Sequence, residues 1–286
     1  MYFLGGITGQ LGDIATAEPS RRVDVYDAAT DTWSAGPELP IDAPKHHLAV
    51  AVMSDGIYVL GGFDGILAQH PNEPFVPIAH AYALRAPVDG VLTTWVPLAP
   101  APLARGAATA EAIDGKIYVT GGATTEGVPA FAQLDVYDPA TDTWTTSLPM
   151  PSPREHLASC AVDGKFIVVG GWFEDIASTA AESFDTKTKQ WTVLANMPTA
   201  RGGLAAITRD GKCHVIGGED WALPFPGTFH AHEVYDPKTN TWSAGIPMPT
   251  ARHGFGLALL GGAMYAIGGG PSQGNSYTDV VEVLVP

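Results

Sequence analysis

Apolar and polar positions along this chain follow one plan, used five times. From Arg201 to Gly218 a basic residue opens the stretch. A short run of small and apolar residues follows, then an Asp-Gly pair, then a second apolar run ending in two glycines. Arg105 to Gly122, Arg154 to Gly171, Arg252 to Gly269 and Lys45 to Gly62 repeat it, always with a step of 16 residues from the basic residue to the first glycine. Short apolar runs bounded by turn residues predict strands. The pairs Asp55-Gly56, Asp114-Gly115, Asp163-Gly164 and Asp210-Gly211, with Gly261-Gly262 in the last unit, predict tight hairpins between the first two strands. A third strand recurs at Val23 to Asp27, Leu134 to Asp138, Glu182 to Asp185 and Glu233 to Asp236, and a fourth opens on Trp33, Trp95, Trp144, Trp191 or Trp242. The third-strand aromatic precedes its tryptophan by 7 residues in four of five units; the exception, Tyr82 to Trp95, predicts an insertion.

Glycine pairs begin at Gly5, Gly61, Gly121, Gly170, Gly217 and Gly268, with steps of 56, 60, 49, 47 and 51 residues. Such self-similarity marks a repeat architecture. The glycine pair, the Asp138-Pro-Ala-Thr turn type and the spaced tryptophan together resemble the kelch repeat, over essentially the whole chain. The resemblance implies an all-β, six-bladed β-propeller with the first strand of each unit innermost. Ala49, Ala51, Ala107, Ala108, Ala158, Ala205, Gly254, Gly256 and Ala258 are small enough for strands that crowd an axis.

The chain is expected to form a single domain over 1–286, with blades near 1–40, 41–98, 99–149, 150–198, 199–248 and 249–286. Met1 aligns with Ile117, so the first blade is expected to lack its inner strand, and the last to lack its outer strand. The expectation drawn from this is an N-terminal truncation, which leaves the compartment open with a slight lean to a secreted or periplasmic bacterial protein.

Composition narrows the partners. A net charge of -15 argues against nucleic acid, which needs basic patches. No run approaches the roughly 18 apolar residues of a membrane span. Two cysteines make no disulfide framework, and Cys160 and Cys213 read as small core residues. His230 and His232 form one H-x-H, with His70, His80 and His214 scattered elsewhere, so neither metal nor cofactor is expected. The iron-binding run of kelch-type specifier proteins, E-x-x-x-D-x-x-x-H, is absent.

Strand direction places the basic residues and the loops after the glycine pairs on one face, where loop lengths vary most. The expected ligand-binding residues there are Lys45, Arg105, Arg154, Arg201, Arg252, His156, His253, Trp172, Trp221 and Asp220. Arginine forks suit carboxylates, and exposed tryptophans suit a sugar or peptide. The competing reading is that each arginine pairs with an acid of a neighbouring blade and cements the ring.

The favoured function is a non-catalytic module recognising a protein, a peptide or a glycan, or another anionic or hydroxyl-rich ligand. Similarity to kelch sialic-acid mutarotases implies an alternative, a sugar-acid isomerase with Glu174 or Glu219 as proton shuttle beside Arg201 or Arg252. A scaffold part of a larger protein is the third reading.

Overall fold

The computed structural model describes residues 1–8, 18–65, 75–86, 92–124, 130–225, 227–274 and 276–285. Blade 1 contains β1 (Tyr2–Leu4), a small hairpin of β2 (Ile7–Thr8) and β3 (Glu18–Pro19), then β4 (Val23–Asp27) and β5 (Thr32–Ala35). Blade 2 has β6 (Val50–Met53), β7 (Gly56–Asp64), β8 (Val76–Arg85) and β9 (Thr94–Leu98). Blade 3 has β10 (Gly106–Ile113), β11 (Lys116–Ala123), β12 (Leu134–Asp138) and β13 (Thr143–Ser147). Blade 4 has β14 (Ala158–Val162), β15 (Lys165–Val169), the hairpin β16 (Trp172–Phe173) and β17 (Ile176–Ala177), β18 (Ala181–Asp185) and β19 (Gln190–Val193). Blade 5 has β20 (Ala205–Arg209), β21 (Lys212–Ile216), β22 (His232–Asp236) and β23 (Thr241–Ala244); blade 6 has β24 (Gly256–Leu260), β25 (Ala263–Ile267) and β26 (Val281–Leu284).

Each blade is an antiparallel sheet ordered from the axis outward. Blades 2 to 5 have four strands, while blade 1 (β1-β4-β5) and blade 6 (β24-β25-β26) have three. The all-β six-bladed propeller is therefore the fold, with the expected strands absent from the first and last blades among the described residues.

The hairpin turns follow their residue types. Asp114-Gly115, Asp163-Gly164 and Asp210-Gly211 all hold positive φ at both positions, as a two-residue β-hairpin requires. Blade 2 differs from expectation: Met53 pairs with Gly56, so Ser54 and Asp55 make the turn and Gly56 starts β7. A Cβ on Gly56 would stand 2.3 Å from the Leu84 carbonyl oxygen, which explains a glycine inside the strand. The same blade corrects a second assignment. Leu84, not Tyr82, lies opposite Trp95, so Leu84 holds the third-strand aromatic position there.

One apolar cluster lies between each consecutive pair of blades from 1 to 6. Tyr58, Ile117 and Tyr137 exemplify the cluster between blades 2 and 3, and Val169, Val215 and Tyr235 that between blades 4 and 5. The seam between blades 6 and 1 is thinner: Phe3 lies beneath Gly256 and Gly268, and Tyr26 meets Tyr265 at 6.0 Å.

Cys160 and Cys213 are buried, as core residues would be, but they are bonded to each other. Cys160 on the innermost strand of blade 4 and Cys213 on the second strand of blade 5 point into the same interblade cluster. The expectation of two separate small core residues is thus corrected. Position within a unit says nothing about which residue of the next unit lies opposite.

Backbone hydrogen bonds stitch the blades. The second glycine of each of the first five pairs donates its N–H to the carbonyl of the next blade's basic residue, Gly122 to Arg154, Gly171 to Arg201 and Gly218 to Arg252 among them. The first glycine leaves room for that carbonyl: a Cβ on Gly217 would come within 2.5 Å of the Arg252 oxygen. A second line of bonds forms an open arc around the axis from blade 2 to blade 6, two residues past each basic residue. Ala107 N–H donates to His47, His156 to Ala107, Gly203 to His156 and Gly254 to Gly203. All five residues have φ between 50° and 60°.

Candidate functional site

Single bridges pair the residue after each basic position with the loop after its glycine pair: His46 with Phe63, Glu155 with Trp172, Gly202 with Glu219, and His253 with Gly270. The basic positions and these variable loops therefore share one face around the axial opening.

The guanidinium groups do not line that opening. Each runs outward inside its own blade, from the start of the inner strand to the third strand. Arg105 donates to Asp135 at 2.9 Å, Arg154 to Glu182 at 2.7 Å, Arg201 to Glu233 at 2.7 Å and Arg252 to Glu282 at 2.8 Å. Most remaining donors take carbonyls of the same blade, such as Arg154 to Gly170 and Ala180, while Arg252 Nε has no hydrogen-bond partner among the described residues. All four side chains are buried. The acid comes from the same blade rather than the neighbouring one that the cementing reading expected. Burial lowers the pKa of Arg105, Arg154 and Arg201, and the carboxylate opposes that shift. Lys45 is different. Its ammonium bonds Asp64, in the loop after the glycine pair, and so stays at the mouth.

Histidines and aromatics form the collar instead. His46 Nε2 donates to the Gly65 carbonyl at 2.8 Å, so its Nδ1 is bare and accepts from His47 Nδ1 at 2.6 Å. His47 meets His156 edge-on at 4.8 Å, and His156 bonds Glu155 and stands 5.1 Å from Trp172. His253 donates from Nδ1 to Gly270, while its Nε2 is 3.5 Å from Glu219 Oε1. Glu219 also accepts the Gly274 N–H at 2.9 Å. Burial pushes His46 and His253 down to about 4, and His47 well below its ordinary value, so all three are neutral at pH 7.

Trp172 is 6% exposed, which corrects its reading as an exposed platform. Its ring lies so close over Gly202 that a Cβ there would meet it at 2.5 Å, and it meets Trp221 at 6.5 Å. Trp221 is 51% exposed. Asp220 shapes its own loop, accepting the Ala222 N–H on its carboxylate. Glu174 and Asp175 form the turn of the β16–β17 hairpin, both at positive φ, with Glu174 exposed. Glu219, by contrast, is buried at the mouth. Around the two tryptophans Phe173, Ile176, Leu223 and Phe225 are exposed, Phe225 at 78%. Of these, Ile176, Leu223 and Phe225 lay outside the residues expected on this face, although their positions in the loops after the glycine pairs of blades 4 and 5 were a usable signal.

The H-x-H pair is structural. His230 bonds the Met248 carbonyl and His232 the Ile246 carbonyl. Among the described residues no three His, Cys, Asp or Glu side chains gather as a metal site, and His70 lies outside those residues.

Residues 1–218 match the family described as the KLHDC2/KLHL20/DRC7 Kelch-repeats domain. The human Kelch repeat and BTB domain-containing protein 12 is 32% identical over 130 residues, 43% of this chain and 20% of that protein. Kelch-like protein terF of Aspergillus terreus is 34% identical over 121 residues, covering 38% and 24%. Human Kelch-like protein 30 is 30% identical over 117 residues, covering 41% and 18%. The chain thus spans about a fifth to a quarter of the length of these curated relatives. The solved structure titled "Structure of YjhT" superposes with a TM-score of 0.69 at 20% identity, over 87% of this chain and 84% of that one. Repeat, architecture and family match agree: the chain belongs to the kelch-repeat β-propeller proteins.

Proposed function

We propose that this propeller is a recognition module that binds a protein or peptide partner on the mouth face, anchored by the apolar cluster on blades 4 and 5. One observation carries the reading. Phe173, Ile176, Trp221, Leu223 and Phe225 are large, apolar and exposed on the loops after the glycine pairs of adjacent blades 4 and 5, loops that meet where Trp172 and Trp221 stand 6.5 Å apart. Scattered apolar residues are ordinary on a surface, but a contiguous group rimmed by polar residues is the usual anchor of a protein interface. The frame beneath is fixed by buried ion pairs and backbone bonds, which favours a preformed surface.

The sugar-acid isomerase reading has less support. It asks for a carboxylate within reach of two arginines, and Arg201 and Arg252 are engaged by Glu233 and Glu282. Selecting a displayed peptide library on the immobilised protein tests the proposal. Selected peptides should bind at least tenfold more weakly to Trp221→Ser and Phe225→Ser, and equally to Lys187→Glu on the opposite face. Peptides indifferent to both mouth substitutions would overturn it.

A further inference from the structure

The accessible positive charge of blades 4 and 5 lies on one face. Lys165, Arg209 and Lys212 flank the hairpin turns between the first two strands of each blade, and Lys187, Lys189 and Lys238 lie in the turns between the third and fourth strands. The inner strands start at the mouth, so all these turns lie on the opposite face. The only other Lys or Arg residues of the two blades are Arg154 and Arg201, buried and bonded to Glu182 and Glu233. A partner at the mouth of these blades therefore meets no unpaired Lys or Arg. The anion expected from arginine forks would find those forks already closed.

Carboxylates stand among the exposed apolar side chains instead. In the β16–β17 hairpin Phe173 pairs with Ile176, and Glu174 and Asp175 form the turn between them. Both acids are exposed, and neither side chain has a hydrogen bond or ion pair among the described residues. On the adjoining loop Asp220 directly precedes Trp221. The Ala222 N–H occupies Oδ1 of Asp220 and leaves Oδ2. Gln273 Nε2 clamps this loop through the carbonyls of Asp220 and Leu223, at 2.7 and 3.1 Å. Trp221 rests against Gly274, where a Cβ would come 2.9 Å from its ring, and keeps half its surface open beside the acid. Where the two loops meet, the indole N–H of Trp172 is buried and has no acceptor among the described residues. A buried donor without a partner is costly, and in a binding loop it points to an acceptor that arrives with the ligand, as a main-chain carbonyl can.

We propose that this surface selects a cationic partner, a protein segment carrying arginine or lysine beside large apolar side chains. The inference rests on the docking face proposed above and adds the charge of what docks there. An apolar side chain of the segment packs among Phe173, Ile176, Leu223 and Phe225. A neighbouring guanidinium stacks on the Trp221 ring and bonds Asp220, and a second cation reaches Glu174 and Asp175. Apolar anchors supply affinity, while opposite charge on the rim speeds encounter and rejects acidic segments.

The test is a random-peptide library selected in parallel on wild-type protein and on the charge-reversal variant Glu174→Lys with Asp175→Lys. Peptides from the wild-type protein should be enriched in arginine and lysine over the input, and peptides from the variant should not. Synthesised wild-type hits should bind at least fivefold more weakly to the isosteric variant Glu174→Gln with Asp175→Asn, and more weakly in high salt. Lys187→Glu, on the opposite face, should leave their affinity within twofold. Hits that need Trp221 but lack the enrichment would overturn this inference and leave the docking face standing. Hits tightened by Lys187→Glu as much as the isosteric variant weakens them would overturn it too, because the overall negative charge would then explain them. Hits indifferent to Trp221→Ser, or no hits at all, would remove the docking face and this inference with it.

Discussion

Cys160 on the inner strand of blade 4 is covalently bonded to Cys213 on the second strand of blade 5, 53 residues later in the chain. It is a covalent tie between two blades otherwise joined by packing and by backbone and side-chain hydrogen bonds. Closing a loop of that length restricts the unfolded chain by about 4 kcal/mol on the chain-entropy account. The Cys160→Ser and Cys213→Ser double variant should therefore lose about 2 to 4 kcal/mol in urea denaturation. Wild-type protein unfolded without reductant should give no alkylated thiol. Two titratable thiols in that assay would show that the bond does not form.

Arg201 and Glu233 test the cementing role of the basic positions. Arg201→Ala strands a buried carboxylate and should cost about 3 to 5 kcal/mol. The double variant Arg201→Met with Glu233→Leu removes both charges together, and should be more stable than Arg201→Ala. A double variant as unstable as the single one would mean that the loss comes from packing of the long side chain, not from the unpaired acid.

The collar histidines set a pH window. His46 and His253 titrate near 4 in the folded protein, and His47 well below its ordinary value. The unfolded chain takes up their protons near 6.5, so from pH 6.5 down to about 4 it binds more protons than the folded chain. Stability should fall as the solution is acidified through that window, by on the order of 1 to 3 kcal/mol for each of His46 and His253. His253→Gln should flatten the fall between pH 7 and 5, measured by urea midpoints. An unchanged slope would show that other groups carry it.

The fold was legible because its determinants are local and repeated. The Asp114-Gly115 turn, the Gly121-Gly122 pair and Trp144 each act within a few residues, and six copies fix the architecture. The site was less legible because position in the repeat does not give side-chain direction. Arg154 opens its repeat unit, yet its guanidinium runs outward within the blade to Glu182, since a cation beside a buried carboxylate is held by it. Trp172 and Trp221 occupy comparable loop positions, but the closeness of Gly202 allows one to lie down and be covered. The Cys160–Cys213 bond depends on the angular offset between blades, which no spacing along the chain encodes.

The arc of main-chain bonds through His47, Ala107, His156, Gly203 and Gly254 has an implication for descent and for engineering. Since N–H and carbonyl groups make that arc, it imposes a backbone shape but no side-chain identity, and imidazole, methyl and bare hydrogen already coexist on it. Chemistry around the axial opening can thus be exchanged one residue at a time while the toroid beneath stays the same. The arc is a mounting rail, and its fittings are interchangeable.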